Sequence, residues 1–229
     1  MIRVDATPRS LGARALARAL GGTVGPADGA DPCVRWRGAT GARWAINAGA
    51  RLDKRSELAT LRAAGVDVPD VVDAIGACAL WLPRTRAHRE GRDLAAHARA
   101  DYWTRWEPLA REWRAHVCRD RTFRAGLKYR DPALALIDRP AAIPVRSRGA
   151  GWRITYRAAA LDGARADRSA IRAIGVAACA ALALDLAAVD VGEREDGSLL
   201  VLEVNTAPGL SADCAASYAR ALRAAGLVP

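Results

Sequence analysis

Residues 186–210, LAAVDVGEREDGSLLVLEVNTAPGL, constrain the fold more than any other stretch of this 229-residue chain. Two strand-forming runs flank Asp196-Gly197, a pair that tolerates the positive φ angles demanded by both central positions of a two-residue type I′ turn. With Glu195 facing Ser198, the register sets Asp190 across from Glu203 and Ala188 across from Asn205. Side chains alternate along a strand, so Asp190, Glu203 and Asn205 share one face of the expected hairpin, while Val189, Val191, Leu202 and Val204 share the other. The apolar face belongs to the core. Carboxylates directly opposite each other have Cβ atoms about 4.5–5.5 Å apart. At an effective dielectric near 20 they repel by on the order of 3 kcal/mol, so the polar face needs a cation. Two carboxylates and an amide carbonyl are hard oxygen donors that suit Mg2+ or Mn2+. Neighbouring arginines on a wet polar face would meet the same need.

Around this hairpin the chain reads as mixed α and β. The first twenty residues are Arg-rich and helical in pattern: Ser10 caps LGARALARAL, and Gly21-Gly22 ends it. Strand-like runs follow at 33–37 and 43–48. Asp53 caps a second helix, KRSELATLRAA, which stops at Gly65, and Val66-Asp67-Val68-Pro69 is extended because proline disfavours helix before it. Residues 77–82, 101–106 and 112–117 are strand candidates; Arg119-Asp120 turns the last into a partner at 122–129. Residues 131–150 form a loop, 152–156 a strand, 169–184 a long helix and 211–225 a final helix stopped at Gly226. Helices mixed with antiparallel hairpins indicate an α+β protein of two lobes.

Charge narrows the partners. The net charge is +10, and 33 of the 35 basic residues are arginine; the lysines are Lys54 and Lys128. Clustered arginine would indicate a polyanion, but these are scattered through every element, so a nucleic-acid partner is an alternative the pattern disfavours. A bound nucleotide suits the same charge. Five cysteines without a CxxC pair fit a reducing cytoplasm. The longest uncharged apolar run, residues 173–184, is too short to cross a bilayer, and the N-terminus lacks a signal peptide's apolar core. His88, His97 and His116 show no HExxH spacing, and neither a nucleophile elbow nor a GxxxxGK loop is present.

The string LEVNTAPGL, with AVD on the paired strand, resembles the metal-binding signature of the ATP-grasp superfamily, in particular compact ligase-like members found in bacteriophage genomes. Asp53-Lys54 opening a helix that ends in AAGVDVP resembles the family's first nucleotide-binding lysine block. The segment 81–93, WLPRTRAHREGRD, is similar to its second basic strand and glycine-rich loop; Thr104-Arg105-Trp106-Glu107-Pro108 is similar to its adenine hinge, and EWRAHV at 112–117 to its E-[YW]-R-x-H-V strand. Two departures stand out: arginine (Arg84 or Arg86) replaces the second lysine, and only Gly91 remains in the loop.

The resemblance implies an ATP-grasp fold, two α+β lobes gripping nucleotide between antiparallel sheets. It divides the chain into a shortened N-terminal region at 1–50, a nucleotide-binding subdomain with hinge at 51–107, and a catalytic subdomain at 108–229. It implies an ADP-forming ligase that makes a carbon–nitrogen bond through an acyl phosphate, using ATP with Mg2+ or Mn2+, on a small-molecule or peptide carboxylate and an amine. Asp190, Glu203 and Asn205 would bind metal; Lys54, Arg84, Thr104, Arg105 and Trp106 would bind nucleotide; Arg114 would be catalytic. Trp103 and Trp106 could wall the adenine site, and Lys128 could face the cleft from the neighbouring strand, with a surface role the expectation. The alternatives are a catalytically weak ATP-binding module and a basic nucleic-acid-associated protein.

Overall fold

The computed structural model describes residues 1–7, 9–26, 33–36, 45–48, 52–74, 81–84, 100–131, 146, 151–157 and 168–229. The described part of the first 48 residues is a parallel sheet. It contains β1 (Arg3–Asp5), α1 (Leu11–Leu20), β2 (Thr23–Val24), β3 (Cys33–Arg35) and β4 (Ala45–Ile46), in the spatial order β2-β1-β3-β4. The strand β1 escaped the sequence reading because three residues are too few to display a period. Ser10 accepts from the Ala13 amide and Gly21 closes α1 in the left-handed conformation, as its spacing implied. The buried stripe of α1, Ala13, Leu16, Ala17 and Leu20, meets Tyr218, Ala219 and Leu222 of α4 (Ala212–Ala224) in one apolar cluster. The last helix therefore completes the core begun by the first.

Next come α2 (Lys54–Ala63), β5 (Val71–Val72), β6 (Trp81–Arg84) and β7 (Tyr102–Arg105), with the strands forming an antiparallel sheet in the order β5-β7-β6. Asp53 caps α2 by accepting from the amides of Arg55 and Ser56. The anticipated strand at 77–82 is seen only from residue 81, because 75–80 lie outside the described residues. So do the loop at 85–93 and nearly all of 132–150.

The largest sheet holds β8 (Leu109–Cys118), β9 (Arg121–Arg130), β10 (Trp152–Thr155), β11 (Leu186–Arg194) and β12 (Leu199–Asn205), all antiparallel, in the order β10-β9-β8-β11-β12. One face carries Trp113, Ala115, Val117, Val189, Val191, Val201 and Val204 and packs on Ile171, Ala178 and Cys179 of α3 (Arg168–Ala181). The opposite face carries charge.

The hairpin keeps the expected pairs, Asp190 with Glu203 and Ala188 with Asn205, by another route. Arg194 pairs with Ser198, so the loop has three residues. Only Gly197 takes a positive φ (87°). Asp196 is held out of the type I′ conformation because its Oδ1 accepts from the Ser198 amide at 2.9 Å and hydroxyl at 2.7 Å. A turn closed by a left-handed glycine shifts the register by one residue, and a bulge between Asp190 and Val191 shifts it back. Val201 thereby takes the core position expected for Leu202, which is left half-buried on the cleft side.

The edge of β12 is covered rather than open. The Val201 amide donates to the Asp67 carbonyl and the Val204 amide to Glu57 Oε1 of α2. On the other side, α1 comes so close to the loop after Asn205 that a Cβ on Gly12 would sit 2.8 Å from the Pro208 carbonyl oxygen. β12 and the loop after it are thus held by two parts of the chain.

Candidate active site

Glu203, Asp190 and Arg114 form a row across β12, β11 and β8. Arg114 grips Asp190 with two donors, Nε to Oδ1 at 2.6 Å and Nη2 to Oδ2 at 2.8 Å, the bidentate geometry in which guanidinium and carboxylate bind most strongly. Lys128 of β9 donates to the same Oδ2 at 3.2 Å and also to Glu112 of β8. At the other end, Lys54 at the start of α2 donates to Glu203 Oε1 at 2.5 Å. Three carboxylates and three cations thus meet over one sheet face, which answers the repulsion that the register created.

Burial alone would raise the Asp190 carboxyl, but Arg114 and Lys128 outweigh it and hold the group below the usual carboxylate range. Glu112 goes the other way: desolvation dominates, and Lys128 only partly offsets it, leaving the carboxyl raised. Burial opposes the charge on Lys128, yet Asp190 and Glu112 carry its ammonium above the ordinary lysine value. Arg114 and Lys128 therefore favour the ionised form of Asp190, whereas burial disfavours the charge on Glu112.

Beside Glu203 a recess of about 20 Å³ is lined by Lys54, Glu57, Leu58, Arg84, Tyr102, Leu202 and Glu203. Arg84 crosses β6 to β7 and donates from Nε to the buried Thr104 hydroxyl at 3.0 Å. A larger cavity, about 340 Å³, lies among Phe123, Tyr156, Arg168 and Arg172, and no carboxylate is among its lining residues. The ionisable groups Lys54, Glu57, Arg84 and Glu203 converge on the smaller recess.

The structure thus gathers Lys54, Arg84, Thr104, Arg114, Asp190 and Glu203. Asn205 follows two residues along β12, half-buried. Two expectations do not reach the recess. Arg105 alternates away from Thr104 and points its exposed guanidinium toward Asp70 at 3.7 Å, and Trp106 is not among the lining residues. The aromatic at the recess is Tyr102, on the Thr104 side of β7; Trp103 alternates with Arg105. Burial pushes the Tyr102 hydroxyl up to about 12, so it remains a proton donor. Arg86 and Gly91 lie outside the described residues.

Lys128 corrects an expectation, because its side chain is 9% exposed and joins two carboxylates rather than meeting solvent. A signal was present: where arginine outnumbers lysine so heavily, both lysines stand in this site. Glu112 and Glu57 were missed as well. Glu57 lies three residues after Lys54, so one face of α2 presents both to β12. His116 is occupied structurally, between the Tyr218 and Tyr156 hydroxyls at 2.8 Å each.

Whether a divalent ion fits follows from the donors. Among the described residues no three His, Cys, Asp or Glu side chains cluster as a metal cage. Mg2+ seldom needs one, since one or two carboxylates with phosphate oxygens and waters suffice. A carboxylate offers about four lone-pair positions, of which Arg114 and Lys128 take three on Asp190. Glu203, at the recess, has the more accessible oxygens, and Asn205 adds an amide carbonyl. The residues fit an ion shared with a phosphate and do not fit one bound by protein alone.

No protein-family model and no curated protein matches the sequence. Solved structures do match the fold. The ATP-grasp ligase PsnB complexed with a minimal precursor aligns with a TM-score of 0.63 at 17% identity, covering 97% of this chain and 98% of that one. Its complex with minimal precursor, Mg and ADP gives 0.64 at 15%, covering 97% and 96%. The macrocyclase MdnC bound with precursor peptide MdnA, from Microcystis aeruginosa MRC, gives 0.59 at 9%, covering 99% of each chain. Among the described residues no helix is long and apolar enough to cross a membrane. With nearly whole chains superposed at such low identity, the likeness speaks for architecture: this is a mixed α and β chain with the ATP-grasp fold, its antiparallel sheets as the sequence implied.

Proposed function

We propose that the protein is an ATP-dependent ligase that joins a carboxylate to an amine and releases ADP and phosphate. One observation carries the reading: on this fold, Lys54, Glu203, Asp190, Arg114 and Lys128 line one sheet face beside a recess flanked by Arg84. Phosphoryl transfer asks a protein mainly for charge neutralisation and positioning, and this face offers both. When bound, Mg-ATP would supply the phosphoryl group that activates the carboxylate.

The chain's own groups have separable duties. Lys54 and Arg84 bind phosphate oxygens; Thr104 orients Arg84; Glu203 and Asn205, with the remaining lone pair of Asp190, hold the ion. Arg114, fixed by Asp190, balances charge developing on the transferred group and the acyl oxygen. Lys128 favours the ionised form of Asp190 and partly offsets the burial of Glu112 beside it. The PsnB and MdnC structures hold precursor peptides, so acidic peptides offering a side-chain carboxylate and an amine are the first substrates to try.

The test is release of ADP with Mg-ATP and a peptide library, followed by mass spectrometry for the loss of one water from the joined product. Activity should vanish in Arg114→Ala and Glu203→Ala. Absence of any Mg-ATP-dependent rise in melting temperature would end the proposal. Nucleotide binding without ADP formation across the library would instead favour a non-catalytic ATP module.

A further inference from the structure

Around the small recess, Lys54 donates to Glu203, Arg84 donates to Thr104, and Glu57 accepts from the Val204 amide. Tyr102 lines the same recess and is only 1% exposed, yet its hydroxyl makes no hydrogen bond among the described residues. A polar group taken out of water without a replacement partner destabilises the chain, and phenylalanine would fill the same space free of that penalty. Packing accounts for the ring and leaves the oxygen unexplained.

Strand pairing sets Tyr102 directly across from Arg84, and alternation along β7 sets Thr104 on the same face. Phenol and guanidinium thus border the recess from one sheet, while Lys54 enters it from the start of α2. At about 20 Å³ the recess admits one water-sized group, which is the size of a single ligand oxygen. The phenol stays protonated, because burial and the charges of Glu57, Glu203 and Asp53 all oppose the phenolate and outweigh Arg84. A neutral O–H in this position can donate to an anionic oxygen, and hydrogen bonds to charged acceptors are the strong ones. Resting on the ligase reading, we infer that Tyr102 is a phosphate-binding residue whose hydroxyl donates to a phosphate oxygen of the nucleotide beside Lys54 and Arg84. It adds a directed contact without adding charge, where two cations already supply attraction.

The test is Tyr102→Phe in the full chain, which removes one oxygen and keeps the ring. By calorimetry the variant should bind Mg-AMPPNP about 10-fold or more weakly than wild type, the loss expected for one hydrogen bond to a charged acceptor. Adenosine, which carries no phosphate, should bind both proteins within about twofold of each other, as read by displacement of Mg-AMPPNP. Without nucleotide the variant should melt no lower than wild type, since the missing hydroxyl had no partner to lose. A tyrosine held for structure alone gives the reverse pattern, a lower melting temperature with unchanged nucleotide affinity, and that result overturns the assignment. If wild type binds Mg-AMPPNP and the variant matches it, Tyr102 does not touch phosphate, and the ligase reading survives. If adenosine weakens as much as AMPPNP, the hydroxyl serves the base or the packing of the ring, and the assignment is again wrong. Failure of wild type to bind Mg-AMPPNP at all would remove both.

Discussion

The two faces of the five-stranded sheet are built from the same residues of backbone and obey different chemistry. Toward α3, Trp113, Ala115, Val117, Val189 and Val191 alternate with Glu112, Arg114, His116 and Asp190 facing the cleft. The core face is held by non-directional apolar burial. The cleft face is held by ions that are tolerable only while each has its partner. The first tolerates changes of shape that keep volume, whereas the second fails when one charge is removed and recovers when the pair is removed together.

The largest loss is expected on the core face. Trp113 is fully buried, and its indole N–H donates to Glu193, itself wholly enclosed, at 2.8 Å. Trp113→Ala should cost at least about 3–5 kcal/mol by urea denaturation, from the cavity alone, with a further loss from the carboxylate deprived of a donor. Out of a typical total of about 5–15 kcal/mol, that leaves little. A cost below about 2 kcal/mol would show that this face does not carry the domain.

The cleft face should answer differently to single and double changes. Lys128→Met strips Glu112 and Asp190 of a shared buried cation and should cost on the order of 3 kcal/mol. Adding Glu112→Gln removes the carboxylate left most exposed to that loss, and the double variant should regain most of the stability. Denaturation of both singles and the double closes the cycle; additive losses would mean that the two residues do not act as a pair.

Between the faces lies His116, on the cleft side by register but packed against Tyr218 of α4. Burial, reinforced by the Arg114 charge, lowers its folded pKa from an ordinary 6.5 to about 3. Between those values the unfolded chain binds a proton that the native chain does not, so stability is full above pH 6.5 and falls as pH drops toward 3. The slope is about 1.4 kcal/mol per pH unit. From pH 7 to 5, wild type should therefore lose about 2 kcal/mol more than His116→Gln, as read from urea midpoints.

Periodicity and spacing made most of this arrangement legible. Caps at Ser10 and Asp53 mark helices because their acceptors act within three residues. Asp190 and Glu203 were placed opposite each other by counting back from a two-residue turn, though the turn and the bulge each departed from the simple hairpin and their shifts cancelled. What stayed hidden was non-local. The turn at Arg119-Asp120 set β8 beside β9, but did not reveal that Lys128 pairs with Glu112 there or that Asp190 reaches it across β8. Arg105 was expected at the site and Tyr102 is found there, because a motif fixes which residues are near a site, while strand parity fixes which of them point into it. The parallel sheet was invisible because strands of two or three residues pair with distant ones.

The smallest effect sharpens the contrast most closely, because it concerns adjacent residues of one helix. Arg55 donates to Asp73 at 2.6 Å and Lys54 to Glu203 at 2.5 Å, so bond length does not distinguish the two pairs. Exposure does: Asp73 is 68% exposed and Glu203 30%. Water competes for the outer pair, and holding two long side chains together costs conformational freedom. Asp73→Ala should therefore change stability by no more than about 0.5 kcal/mol, and that small change should fade as salt rises. A loss above about 1 kcal/mol, undiminished by salt, would make the outer pair equivalent to the inner one. Solvent access would then no longer explain why one ion pair of α2 serves the site while its neighbour only decorates the surface.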